Sequence, residues 1–271
     1  MSDPRVNLVG VARSMAEVDR LVPVHDLYDE TGSELYDELG WQSYDTNTAV
    51  KLATGHGGPV LDLACGTGRI GLAIAQRGVE VMGVDLSTDM LDRFTTRLGA
   101  EPPEVAALVE LVQADMHQLD LGRQFRLAVL GATTIVLVDP AQRRAFFERV
   151  RAHLLPGGIF AFDFHTLDLD TIRRSPRRTT VIEIPMRPAG AGFAVCCQEF
   201  DLATRREKVS FLVERVAVAG ALDRRIVTTS KAILRRRDIE RDLLDAGFAL
   251  SEYPQRSTSV AFEWLIAEAP E

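Results

Sequence analysis

Apolar positions along this chain change rhythm three times. Between residues 60 and 164, short apolar runs alternate with stretches of helical period, the pattern of repeated βαβ units on a parallel sheet. Residues 60–64, 79–84, 109–113, 126–130 and 159–164 read as five strands. Residues 70–76, 88–98 and about 141–155 read as the helices between them, with Ser87 or Thr88 as a cap and Pro156-Gly157-Gly158 as a helix stop. Before this block, Ala16, Val18, Leu21, Val22, Leu35, Leu39, Val50 and Leu52 fall at helical spacings. After it, residues about 178–232 hold four β-rich runs with turns and no helix between them, which implies antiparallel pairing. A helix over 238–246, ended by Gly247, and two strands over 248–253 and 260–267 complete the pattern. The expectation is an α/β fold: a Rossmann-like, doubly wound, mostly parallel seven-stranded sheet. Residues 1–56 would form an N-terminal helical lid and 57–271 the main domain, with a small antiparallel β insert at about 178–232.

The chemistry concentrates where the first strand turns into the first helix, Val60-Leu61-Asp62-Leu63-Ala64-Cys65-Gly66-Thr67-Gly68-Arg69-Ile70-Gly71. Gly66 and Gly68 permit a tight turn and the close approach of a ligand. Asp85, ending the second strand, offers a carboxylate to a pair of ribose hydroxyls. Gly66-x-Gly68-x-x-Gly71 followed by Asp85 also fits the dinucleotide fingerprint, so the glycines alone leave two cofactors open. Three features decide between them. Asp62 would repel a pyrophosphate and attract the ammonium of a methionine. Ala114-Asp115-Met116 follows the third strand, where an acid suits the exocyclic amine of adenine and Met116 its ring. Pro156-Gly157-Gly158 belongs with the same pattern.

On these residues the stretch from Val60 to Phe164 resembles class I S-adenosylmethionine-dependent methyltransferases. The resemblance implies S-adenosylmethionine as cofactor. It places Asp62, Ala64, Gly66 and Gly68 at the methionine, Asp85 at the ribose, and Leu86, Met90, Asp115 and Met116 around the adenine, with Gly131 to Thr134 as the floor beneath the methyl group. Cys65 is part of the loop rather than a nucleophile. A lid tyrosine of such enzymes often touches the methionine carboxylate or the acceptor, and Tyr36 and Tyr44 are the corresponding candidates.

Composition narrows the setting. A net charge of -8 argues against a nucleic-acid partner, and Arg173-Arg174, Arg177-Arg178 and Arg235 to Arg237 read as solvated faces. Cys65, Cys196 and Cys197 form no spaced framework and no zinc-ligand set, which points to a cytoplasmic protein without a structural metal. No apolar run reaches the ~18–20 residues of a membrane span, and no signal peptide is read in the first ten residues.

Methyl transfer from a sulfonium requires alignment more than acid–base chemistry. His165, after the fifth strand, is the candidate base, with Asp163 to orient it or hold a cation, and Tyr44 completes the catalytic set. His117 ranks below His165, while His25, His56 and His153 read as surface or helix residues. The overall arrangement is similar to N-methyltransferases of amino sugars and modified peptides. The expected acceptor is therefore an amine of a small molecule or peptide, drawn by acidic and aromatic lid residues such as Tyr28, Tyr36, Asp37, Trp41, Tyr44 and Asp45. Methylation of an oxygen, a nicotinamide-dependent oxidoreductase and an idle scaffold are the rival readings. Exposed edges of the antiparallel insert suggest a homodimer.

Overall fold

The computed structural model describes residues 3–29, 31–32, 35, 44–165, 167–187, 190–216, 220–251 and 262–270. Helix α1 (Gly10–Val18) and strand β1 (Val24–Asp26) come first. Helix α2 (Tyr44–His56) leads into β2 (Val60–Leu63), α3 (Arg69–Ala75), β3 (Val81–Asp85), α4 (Thr88–Leu98), α5 (Pro103–Ala106), β4 (Val109–Gln113), β5 (Phe125–Leu130), α6 (Arg143–Ala152) and β6 (Leu154–His165). Helix α7 (Leu169–Arg174) precedes β7 (Arg177–Arg187), β8 (Gly190–Asp201), β9 (Arg206–Val216) and β10 (Leu222–Ala232). Helix α8 (Arg236–Asp245) and strands β11 (Ala249–Leu250) and β12 (Phe262–Glu268) follow. Two compact units result, Met1–Gly40 with Leu167–Ile233, and Trp41–Thr166 with Leu234–Glu271.

The larger unit is built on a seven-stranded sheet in the order β11-β12-β6-β5-β2-β3-β4. Strands β2 to β6 run parallel, while β12 is antiparallel to β6. All four residues of β2 are buried, as a central strand covered on both faces requires. Alternate residues of β6 feed two layers. Ile159 and Ala161 pack with Ala49, Leu52 and Ala53 of α2 and with Ile70 and Ile74 of α3. Phe147 of α6 stacks on Phe162 and meets Phe160 edge to face, at ring-centre distances of 5.9 Å for each pair. The mostly parallel α/β sheet expected from the apolar rhythm is therefore present.

Several boundaries differ from the sequence expectation. Helix α2 belongs to the sheet unit rather than to a lid ending at residue 56, because its apolar face completes the core beside β2. Helix α6 ends at Ala152, before Pro156-Gly157-Gly158, which lie inside the 12-residue strand β6 where its register with β5 shifts. Gly157 takes φ 71° there, and a Cβ on Gly158 would come 2.8 Å from the Leu155 carbonyl oxygen. The three residues thus shape a bulge instead of stopping a helix. His153 is buried rather than on the surface. Its Nδ1 lies 2.8 Å from the Arg149 carbonyl oxygen and its Nε2 accepts the Leu121 N–H at 3.0 Å.

The smaller unit is a five-stranded sheet in the order β1-β10-β9-β8-β7. Strands β7 to β10 pair antiparallel, as their uninterrupted β pattern predicts. Ala12 and Ala16 of α1 cover one face at Leu212 and Ile226, and Leu27 and Leu35 cover the other at Phe211, Val213 and Val227. The N-terminal segment is not purely helical, since Val24 to Asp26 add a parallel strand to β10. The open ladder edge of β10 satisfies backbone groups that a helix would have paired internally.

Candidate functional site

Strand β2 has β3 on one side and β5 on the other, so the chain winds away from it in both directions. In open α/β sheets such a switch point opens a crevice at the carboxyl ends of the strands. The turn after β2 is left-handed at Ala64 (φ 49°), Gly66 (φ 56°) and Gly68 (φ 86°). Two of these glycines serve different ends. A Cβ on Gly68 would fall 2.1 Å from the ring of Phe94, so helix α4 demands the glycine. A Cβ on Gly66 would have Met90 Sδ at 3.9 Å as its nearest neighbour, which leaves that side of the loop open to a ligand. The third glycine of the pattern, Gly71, lets α3 close on β2, since a Cβ there would lie 2.9 Å from Asp62 Oδ2.

Asp85 ties the turn to β3. Its Oδ2 accepts the Gly66 N–H at 2.8 Å and its Oδ1 the Ser87 N–H at 2.9 Å. Each oxygen keeps a second lone pair for a ligand hydroxyl. Burial raises the Asp85 pKa, and the N–H groups of Ser87, Gly66 and Leu86 oppose that rise. Leu86, next to it, is 66% exposed, while Met90 is buried one helical turn on. Strand β4 ends alongside, with the Ala114 N–H donating to the Asp85 carbonyl at 3.0 Å. There Asp115 caps a short 3-10 turn by accepting the His117 N–H at 2.8 Å, and both Asp115 and Met116 are half-buried. The His117 ring packs 5.7 Å from that of Phe146.

Asp62 is the most perturbed carboxyl of the turn. It is 1% exposed, and its Oδ2 has no hydrogen-bond partner among the described residues. Burial pushes its pKa up to about 7, against the pull of the Gly71 N–H and the Arg69 charge. A buried acceptor left without a donor is costly, and a cationic ligand group relieves that cost. Cys65 is buried beside it and packs on Leu91 and Phe94; burial also drives its thiol pKa up, away from the reactive thiolate.

A second network holds the loop after β5, where Ala132 and Thr133 are both left-handed at φ 56°. Asp45 Oδ2 accepts the Ala132 N–H at 3.1 Å, and Asp163 Oδ1 accepts the Thr133 N–H at 2.9 Å. Asp45 is itself gripped by Arg69, whose Nη2 donates to Oδ2 at 2.7 Å and whose Nη1 reaches Oδ1. A Cβ on Gly131 would come 2.1 Å from Ile70 Cδ1, so any side chain there would displace the end of Ile70. Asp163 is fully buried and His165, two residues on, is half-buried opposite Phe262. Tyr36 lies outside the described residues, as does the side chain of Tyr44, whose backbone opens α2.

Arg69 and the anchoring role of Asp45 are what sequence reasoning missed. A signal existed: an arginine on the first turn of a helix opposes the helix dipole and calls for a compensating anion.

Comparison with known proteins agrees with this geometry. Residues 60–158 match the family described as a methyltransferase domain. Residues 60–158 are thus a methyltransferase domain. The chain is 30% identical over 142 residues to the cypemycin N-terminal methyltransferase of a Streptomyces species, covering 51% of this chain and 56% of that one. The curated relatives are matched over about half of their length or less. Its fold is similar to the CcbJ methyltransferase of Streptomyces caelestis, with TM-score 0.74, 21% identity and coverage of 91% and 99% of the two chains. The glycopeptide N-methyltransferase MtfA in complex with S-adenosylmethionine is 27% identical, with TM-score 0.58 and coverage of 83% and 94%. The cofactor of this fold is S-adenosylmethionine, and the orphaned Asp62 oxygen, the open Gly66 face and the Asp85 lone pairs fit it.

Proposed function

We propose that the protein methylates an amine of a bacterial natural product or modified peptide. When bound, S-adenosylmethionine supplies a methyl group that its sulfonium has already activated. Asp85 accepts from the ribose hydroxyls, Leu86 and Met116 flank the adenine, and Asp115 takes its exocyclic amine. Asp62 holds the methionine ammonium. Arg69, whose side chain keeps 28% of its surface in water, offers charge to the methionine carboxylate. Asp45 and Asp163 hold the Gly131 to Thr133 floor in its left-handed form, and so act as positioning residues.

One observation carries the choice of acceptor. The carboxylates at that floor, Asp45 and Asp163, are both engaged with backbone N–H groups, and Asp45 also with Arg69. Proton removal is left to His165 or to water. An amine that arrives neutral needs the least help, because its lone pair is already free and its proton leaves afterwards. The likeness to the cypemycin and glycopeptide enzymes, both named for N-methylation, supports the same reading.

The test is incubation of the protein and S-adenosylmethionine with peptides bearing a free amino terminus, amino sugars, phenols and carboxylic acids, read by mass spectrometry. Gain of one or two methyl masses on an amine supports the proposal. Methylation confined to the phenols or acids overturns it.

A further inference from the structure

Strand β7 ends the five-stranded sheet, with β8 on one side and no described strand on the other. Arg177, Thr179, Thr180, Val181 and Glu183 along it are exposed, and Val181 keeps 67% of its surface in water. Phe193, on β8 opposite Glu183, is exposed as well. An open ladder edge with β-branched residues is a template for a further strand.

The charges on β7 say which strand fits. In the β7–β8 ladder Val181 faces Val195 and Glu183 faces Phe193, so the odd-numbered residues of β7 share one face. A two-fold axis perpendicular to the sheet sets two copies of β7 antiparallel and keeps that face common to both. Odd residues then stand opposite odd ones. An axis through Thr180 puts Arg177 opposite the partner's Glu183, and symmetry repeats the pair. Thr179 stands opposite the partner's Val181, and Pro185, which has no N–H to give, falls outside the paired stretch. An axis through Ile182 instead opposes Arg177 and the partner's Arg187 and draws Pro185 into the ladder. Axes through Thr179 or Val181 forfeit both ion pairs.

We propose that two copies of this chain join β7 to β7 about Thr180, forming one continuous ten-stranded sheet. Arg177, whose Nε lies 3.4 Å from Glu199 within the chain, is then shared between that carboxylate and the partner's Glu183.

The test is sedimentation of the whole chain across a concentration series, with two single variants. Wild type should sediment at twice the monomer mass at tens of micromolar. Glu183→Arg and Arg177→Glu each create two like-charge contacts and should weaken self-association by about tenfold or more. An equimolar mixture of the two variants restores both ion pairs and should dimerise again. Circular dichroism of each variant, with both sites on the surface, reports that the fold persists. A monomeric wild type at about 100 µM, a dimer indifferent to both changes, or variants that fail to recombine would each overturn the proposal.

Discussion

Arg69 and Asp45 join the first turn of α3 to the first turn of α2, and through the Asp45 carboxylate they reach the Ala132 N–H after β5. One ion pair therefore links the glycine turn to the floor of the crevice. Removing one partner of a buried pair leaves the other charge uncompensated, at a cost of about 3 kcal/mol or more. Arg69→Met should lower the urea midpoint accordingly. It should also raise the dissociation constant for S-adenosylhomocysteine by about tenfold or more, since a single charge-assisted contact is worth about 1.5–3 kcal/mol. Unchanged affinity in calorimetry would remove Arg69 from the cofactor reading.

Asp85→Asn keeps one oxygen acceptor but loses the charge that strengthens the ribose bonds. Affinity for S-adenosylhomocysteine should fall by about tenfold to a hundredfold. A fall of less than about threefold in the same titration would show that Asp85 only braces Gly66 and Ser87.

Asp62 makes stability depend on pH. Its folded pKa of about 7 lies above the ~4 of an unfolded carboxylate. Between these values the folded chain keeps a proton that the unfolded chain has lost, so stability falls as pH rises from about 4 to about 7. Asp62→Asn should therefore match wild type near pH 4 and exceed it by a growing margin up to about pH 8 in unfolding experiments. The same gain at both values would contradict the assignment.

Two glycines two residues apart should respond differently to alanine. Gly68→Ala drives a methyl group into Phe94 at an unfavourable φ of 86° and should cost about 3 kcal/mol of stability. Gly66→Ala meets nothing closer than 3.9 Å. It should cost only about 1 kcal/mol in folding while weakening cofactor binding by about tenfold or more. Thermal melts with and without S-adenosylhomocysteine separate the two effects.

His165→Ala distinguishes acceptors. With an amine, turnover should drop by less than about tenfold, because general-base catalysis worth about a hundredfold or more is not called on. A loss beyond that, with a bell-shaped pH profile flattened in the variant, favours an oxygen acceptor.

The sequence by itself determined the sheet and the donor end of the crevice. Both rest on local patterns: apolar runs of strand length, glycines that tolerate positive φ, and acids placed at strand ends. The run from Val60 to Asp85 needs no knowledge of distant residues to be legible. The tertiary structure decided what distant residues do together. Asp45 reads as a lid acid until Arg69 is found beside it, 24 positions away in the chain. Asp163 reads as an acid that holds a cation or orients His165, and only the structure adds its grip on the Thr133 N–H, while Pro156-Gly157-Gly158 reads as a helix stop until β6 is seen to run through it. In each case the deciding force is a hydrogen bond or a register between strands, made by segments that sequence spacing does not bring together.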